Sequence, residues 1–166
     1  MKVKLSIKPL VIALSLFGAT AALADINIGV SVSATGPAAV LGGPQKNTAQ
    51  LFPTSIAGEK INWIVLDDAS DPTATAKNVA KFLSETKVDM LMTGTTTPGV
   101  MAAAGPAADS KTPLIALAPN RLDGEKFKWT FTMPQPIGLM AEPLLEHAKS
   151  KGYKTVAFLG LSLIHI

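Results

Sequence analysis

Residues Ile26–Ser33 (INIGVSVS) alternate apolar and polar positions and are rich in β-branched side chains, which predicts a strand. Gly36-Pro37 and Gly42-Gly43 then punctuate a loop, and a helix is expected from Pro44 toward Phe52, with Pro53 limiting its end. Lys60–Leu66 (KINWIVL) reads as a second strand. The polar turn after it, Asp67-Asp68-Ala69-Ser70, leads into Asp71-Pro72, an N-cap with proline at the first helical position. In the helix that follows, Ala76, Val79, Ala80 and Leu83 recur at i, i+3, i+4 and i+7, which makes one apolar face. Val88–Met92 is a short apolar strand, and Val100–Ala108 is an Ala-rich helix that Gly105-Pro106 should kink. Pro113–Ala118 is a further strand, Trp129–Thr132 an edge strand, Pro136–Ser150 a helix, and Thr155–Leu159 opens another strand. Strand–helix units at this spacing predict an α/β fold: a parallel sheet joined by right-handed crossovers, with helices on both faces. Ligands of such sheets bind beyond the carboxyl ends of the strands. That directs attention to Ser33–Gly43, Thr93–Pro98 and Ala118–Arg121.

The two ends of the chain carry a different pattern. Lys2, Lys4 and Lys8 precede an apolar run, Leu10–Ala22, and Ala22-Leu23-Ala24 offers small residues at the positions a signal peptidase reads. The run is short for a bilayer span and has no stop-transfer cluster behind it, so residues 1–24 read as a cleaved secretory signal and the mature protein as periplasmic. Residues 25–152 then form one ligand-binding lobe, and 153–166 begin a second unit. The last residues, about Ser162–Ile166, resemble translated adapter sequence.

Charge has to be recomputed once the signal is set aside. The formal net charge of +3 belongs to the three signal lysines; without them Lys plus Arg equals Asp plus Glu. No basic stripe with interleaved aromatics remains, and Arg121 is the only arginine, which argues against a nucleic-acid partner. Cysteine is absent, so thiolate metal sites and cysteine nucleophiles are excluded, and an exported chain must be stabilised by burial. His147 and His165 are far apart and have no ligand-spaced partner, so no metal is expected. There is no G-x-S-x-G, P-loop or H-E-x-x-H, and the Gly36–Gly43 loop lacks dinucleotide-binding spacing. No cofactor and no catalytic set is implied. The adjacent Asp67 and Asp68 are expected to be a solvated turn.

Two loops carry candidate chemistry. Thr95-Thr96-Thr97 precede a helix and Ala118-Pro119-Asn120 follow the next strand. Hydroxyls and N–H groups at a helix start suit a small anion such as a carboxylate, and carbonyls at the neighbouring strand tip suit an ammonium. Read without context, three such threonines are also ordinary capping and turn residues.

In order and spacing, Asp25–Val30, Ser33–Ala39 with Gly42, Asp67–Pro72, Gly94–Ala104 and Pro113–Ala118 resemble the branched-chain amino-acid-binding proteins of ABC importers. These are type I periplasmic binding proteins, and the likeness runs from the signal segment to about Gly160. The resemblance implies two lobes closing on a ligand, the closed form docking on an inner-membrane permease, with this chain holding the N-terminal lobe. It assigns the ligand carboxylate to Thr96 and Thr97, its ammonium to Ala118, Pro119 and Asn120, and a covering position to Leu41. Here Pro119 and Asn120 stand in place of a small residue and a Ser/Thr, which removes one backbone donor and exchanges a hydroxyl for an amide. Leu41 is aliphatic where some relatives carry an aromatic. The ligand class implied is a branched-chain amino acid or a related organic or aromatic acid. Because an acidic residue for the ammonium comes from the second lobe in relatives, this lobe alone is expected to bind amino acids weakly. A receptor ectodomain of the same fold and an exported α/β amidase are the alternative readings, the latter without a nucleophile–base pair in view.

Overall fold

The computed structural model describes residues 25–155 and 157. Residues 1–24, expected to be an export signal, lie outside the described residues, as does the strand expected at Thr155–Leu159 apart from Thr155 and Ala157. In chain order the elements are β1 (Ile26–Val32), α1 (Ala39–Ala49), β2 (Ser55–Ile56), β3 (Glu59–Asp67), α2 (Pro72–Lys81), β4 (Met90–Thr93), α3 (Thr97–Ser110), β5 (Leu114–Ala116), β6 (Thr130–Thr132) and α4 (Ile137–Ser150). A π-helical turn, Phe82–Thr86, extends α2, and a 3₁₀ turn, Glu125–Phe127, precedes β6. The sheet order is β2-β3-β1-β4-β5-β6, parallel throughout except for the β2–β3 pair.

The period-two pattern of β1 divides two cores. Ile28, Val30 and Val32 face one way with Ile61, joined by Trp63, Met92 and Leu117. On the other face Val79 and Phe82 pack with Leu91, Ala103, Ala104, Ala107 and Leu114 beneath α2 and α3. Gly29 falls on this second face, and the missing Cβ is what admits Phe82: a Cβ there would lie 2.7 Å from Phe82 Cγ. Phe82 is 1% exposed, so its ring has nowhere to retreat.

Two helices, α2 and α3, start on side-chain caps. The Asp71 carboxylate accepts the Thr73 N–H at 2.8 Å, with Pro72 at the first helical position, as the sequence predicts. Two helices run further than expected. α1 begins at Ala39 rather than Pro44, because the Gly36–Ala38 turn starts it early and Gly42 lies against the end of β1, where a Cβ would collide with the Ser33 carbonyl. α3 continues through Pro106 to Ser110. Pro106 is on the exposed side, so the lost bond toward Ala102 is outweighed by the buried packing of Ala103, Ala104 and Ala107. After α1, Phe52 stacks on Trp63 at 4.6 Å and Trp63 Nε1 donates to the Pro53 carbonyl at 2.9 Å, which docks the return into β2. The two-residue β2, paired with β3 across Ala57-Gly58, was not anticipated; both turn residues have positive φ. α4 buries none of its residues.

Gly29→Ala should destabilise the protein by about 1–3 kcal/mol, because the added methyl overpacks a core that cannot yield. Chemical denaturation checks this, and Phe82→Leu in the same chain should recover part of the loss. An unchanged midpoint for Gly29→Ala contradicts the assignment of Gly29 to Phe82.

Candidate functional site

At the carboxyl ends of parallel strands the ladder runs out, and side chains must pair what it leaves. Asp68, after β3, does this for β1. It is 2% exposed and accepts from Ser33 Oγ at 2.6 Å, Ser31 Oγ at 3.1 Å and the Ser70 N–H at 3.1 Å. The expected solvated turn is therefore corrected at Asp68: buried Ser31 on β1 and Ser33 just beyond it supply donors that draw its carboxylate inward. Asp67 behaves differently. It stays exposed and accepts from the Thr35 hydroxyl at 2.7 Å and from the N–H groups of Ala69 and Thr35. Desolvation pushes the Asp67 carboxyl upward, but these hydrogen bonds outweigh it and hold the group below the ordinary carboxylate range.

Thr95 joins three loops through one hydroxyl. Its Oγ1 accepts the Ser33 N–H at 2.9 Å and donates to Gln45 Oε1 on α1 at 2.6 Å. The Thr95 proton points at Gln45 Oε1 while a lone pair of the same oxygen accepts the Ser33 N–H. That orients the Gln45 carboxamide with its Nε2 donors turned from Thr95. Thr95 and Gln45 were not among the residues assigned to the site. The signal was nonetheless present: Pro98 marks the helix start, which makes Thr96 the cap and leaves Thr95 as the residue entering the core.

Thr96 caps α3, its Oγ1 receiving the Gly99 N–H at 3.4 Å. Thr97 is exposed, and its hydroxyl donates to the Pro119 carbonyl at 2.8 Å, tying the α3 start to the tip of β5. Asn120 turns back onto the sheet. Its Nδ2 donates to Thr132 Oγ1 at 2.8 Å and to the Ala118 carbonyl at 3.2 Å, and its Oδ1 accepts the Leu122 N–H at 3.1 Å. Thr96, Thr97, Ala118, Pro119 and Asn120 thus lie on two loops fastened together. Leu41 is separate: 58% exposed in the first turn of α1, one turn before Gln45. The N–H groups of Thr96 and Thr97 meet no acceptor among the described residues.

A hollow of about 430 Å³ opens beneath α1 on the face of Val30, Val32, Met92 and Leu117, with Gln45 and Phe52 on its walls. None of the six residues assigned from the sequence lines it. Its apolar lining is the face of the sheet that α1 covers only in part.

Comparison with known proteins agrees with this architecture. A family model described as periplasmic binding protein matches residues 25–163, and the chain belongs to that family. Its members are binding proteins and not enzymes. Among solved structures, an extracellular ligand-binding receptor from Rhodopseudomonas palustris is 42% identical, with a TM-score of 0.73 over 77% of this chain and 36% of that one. An extracellular ligand-binding receptor from R. palustris HaA2 is 41% identical, with a TM-score of 0.74 over 77% and 36%. A solute-binding protein of an ABC transporter from R. palustris BisB5, in complex with 3,4-dihydroxybenzoic acid, is 25% identical with a TM-score of 0.71 over 78% and 37%. The chain therefore spans little more than a third of these relatives, and its fold matches one lobe of a type I periplasmic binding protein. Among curated proteins none matches it.

The lowered carboxyl of Asp67 fixes a pH dependence. A group with a depressed folded pKa stabilises fully above its unfolded value and loses that contribution as pH falls through the folded one. Acid melting curves of Asp67→Asn should therefore lose the part of the decline that begins near pH 3.8 and extends below it. Curves that superpose on those of the parent chain at every pH contradict this.

Proposed function

We propose that the chain supplies the first lobe of a periplasmic solute-binding protein that captures a small carboxylate for an ABC importer, exported by residues 1–24. In this reading the solute's carboxylate takes its hydrogen bonds from Thr96 and Thr97, the Ala118–Asn120 loop forms the adjoining wall, and Leu41 closes over the ligand. Branched-chain amino acids and related organic or aromatic acids are the solutes considered. The observation that carries the reading is the Thr97–Pro119 hydrogen bond, which sets the unsatisfied N–H groups of Thr96 and Thr97 beside the tip of β5. The relative holding 3,4-dihydroxybenzoic acid supports a carboxylate as the ligand. α4, which buries nothing here, is read as the start of the second lobe, so that the hinge falls at Met133–Pro136 rather than near residue 152. A ligand-sensing ectodomain is the second reading, favoured by the description of two relatives as extracellular ligand-binding receptors.

The test is isothermal titration of the complete two-lobed protein with a panel of amino and non-amino carboxylates. At least one should bind with micromolar affinity, and Thr97→Ala should weaken it about tenfold, the loss of one preorganising hydrogen bond. Silence across the panel, or unchanged affinity in Thr97→Ala, contradicts the proposal.

A further inference from the structure

Building on the proposed site, we infer that Gln45 is a positioning residue for it: through Thr95, Gln45 fixes the rotation of α1 that holds Leu41 over the solute loop. Packing alone does not set that rotation. The buried residues of α1 are Gly42 and Ala49, one without a side chain and one with a methyl group. Hollows of about 430 and 410 Å³ flank the helix, over Val30 and Met92 in one case and over Ile61 and Val65 in the other, and Ala49 and Phe52 line both. A helix so thinly packed turns about its axis unless polar contacts stop it.

Those contacts form a closed circuit. Gln45 Oε1 accepts the Thr95 hydroxyl at 2.6 Å, Thr95 Oγ1 accepts the Ser33 N–H at 2.9 Å, and the Ser33 carbonyl lies against Gly42, three residues before Gln45 on the same helix. Thr95 is 6% exposed and Ser33 1%, so water competes poorly for these bonds. Among the described residues, Gln45 is the one α1 side chain hydrogen-bonded to another element. The helix therefore meets the strand tips at Gly42 and again at Gln45, and two such points fix its rotation as well as its distance. Leu41 precedes Gln45 by four residues, so the two share a face, with Leu41 one turn nearer the helix start. Leu41 is 58% exposed, so the helix and not a surrounding socket sets its direction. Thr95 also adjoins Thr96, whose N–H is one of the donors proposed for the solute. One residue thus links the helix that bears the cover to the loop that bears the donors. With that link cut, α1 samples rotations in which Leu41 misses the solute, and the apparent Kd rises by the inverse of the competent fraction.

The experiment titrates the complete two-lobed protein calorimetrically with L-leucine, 4-methylpentanoate and 3-phenylpropanoate. For a probe that binds the parent protein, Gln45→Met, which keeps the side chain's length and loses its acceptor, should weaken binding about tenfold, and Leu41→Ala should weaken it as much or more. The double variant should match Leu41→Ala alone, because a helix freed to rotate then has no cover to misplace. Thr95→Val should repeat the Gln45→Met loss, and Thr95→Ser, which restores the hydroxyl, should recover it. Hydrogen exchange gives a readout without solute: the α1 amides should exchange faster in Gln45→Met than in the parent. Losses that add in the double variant, full affinity in Gln45→Met, or unchanged α1 exchange overturn the inference and leave the carboxylate-binding reading standing. Should neither these probes nor the wider carboxylate panel bind the parent protein, the reading of the site fails and the inference with it.

Discussion

Everything at the functional end of this sheet follows from the shortage of hydrogen-bond partners where parallel strands stop. The N–H and carbonyl groups beyond β1, β4 and β5 have no ladder to join, and leaving them buried and unpaired costs more than most single contacts return. The chain answers with short polar side chains placed one to four residues past the strands. Asp68 takes the β1 serines, Thr95 takes the Ser33 N–H and hands its proton to Gln45, Thr97 caps the Pro119 carbonyl, and Asn120 ties β5 to β6. Four loops become one rigid surface. The N–H groups of Thr96 and Thr97 are among the groups left over after this pairing.

Each tie consumes a particular acceptor, so exchanging one side chain changes the polarity of the surface without moving the backbone. Pro119 has already removed one donor by lacking an N–H, and the Asn120 amide covers an acceptor. The apolar face below, with Val30, Val32, Met92 and Leu117 around a hollow, shows the opposite condition: an unfilled surface on a parallel sheet whose other face is packed under α2 and α3.

Much of this was legible in the residues. The alternation of Ile26–Ser33, the apolar stripe from Ala76 to Leu83 and the Asp71-Pro72 start predicted strands and helices that the structure contains, because each rests on local chemistry. The helix bounds at Ala39 and through Pro106 were not, since both depend on packing that overrides a proline: Gly42 against Ser33 in one case, buried alanines in the other. At the site, the type of residue could be read but not its direction. Thr96 and Thr97 were singled out by their place before a helix, whereas the inward turn of Asp68 needed Ser31 and Ser33, more than thirty residues away. Likewise, nothing in Pro119-Asn120 announces that Asn120 folds back to Thr132.

The most direct measurement is a crystal structure of the complete protein with a carboxylate bound. It should place a carboxylate oxygen within hydrogen-bond distance of the Thr96 or Thr97 N–H, with Thr97 Oγ1 still on the Pro119 carbonyl. A carboxylate seated elsewhere, with those two N–H groups facing only water, contradicts the account.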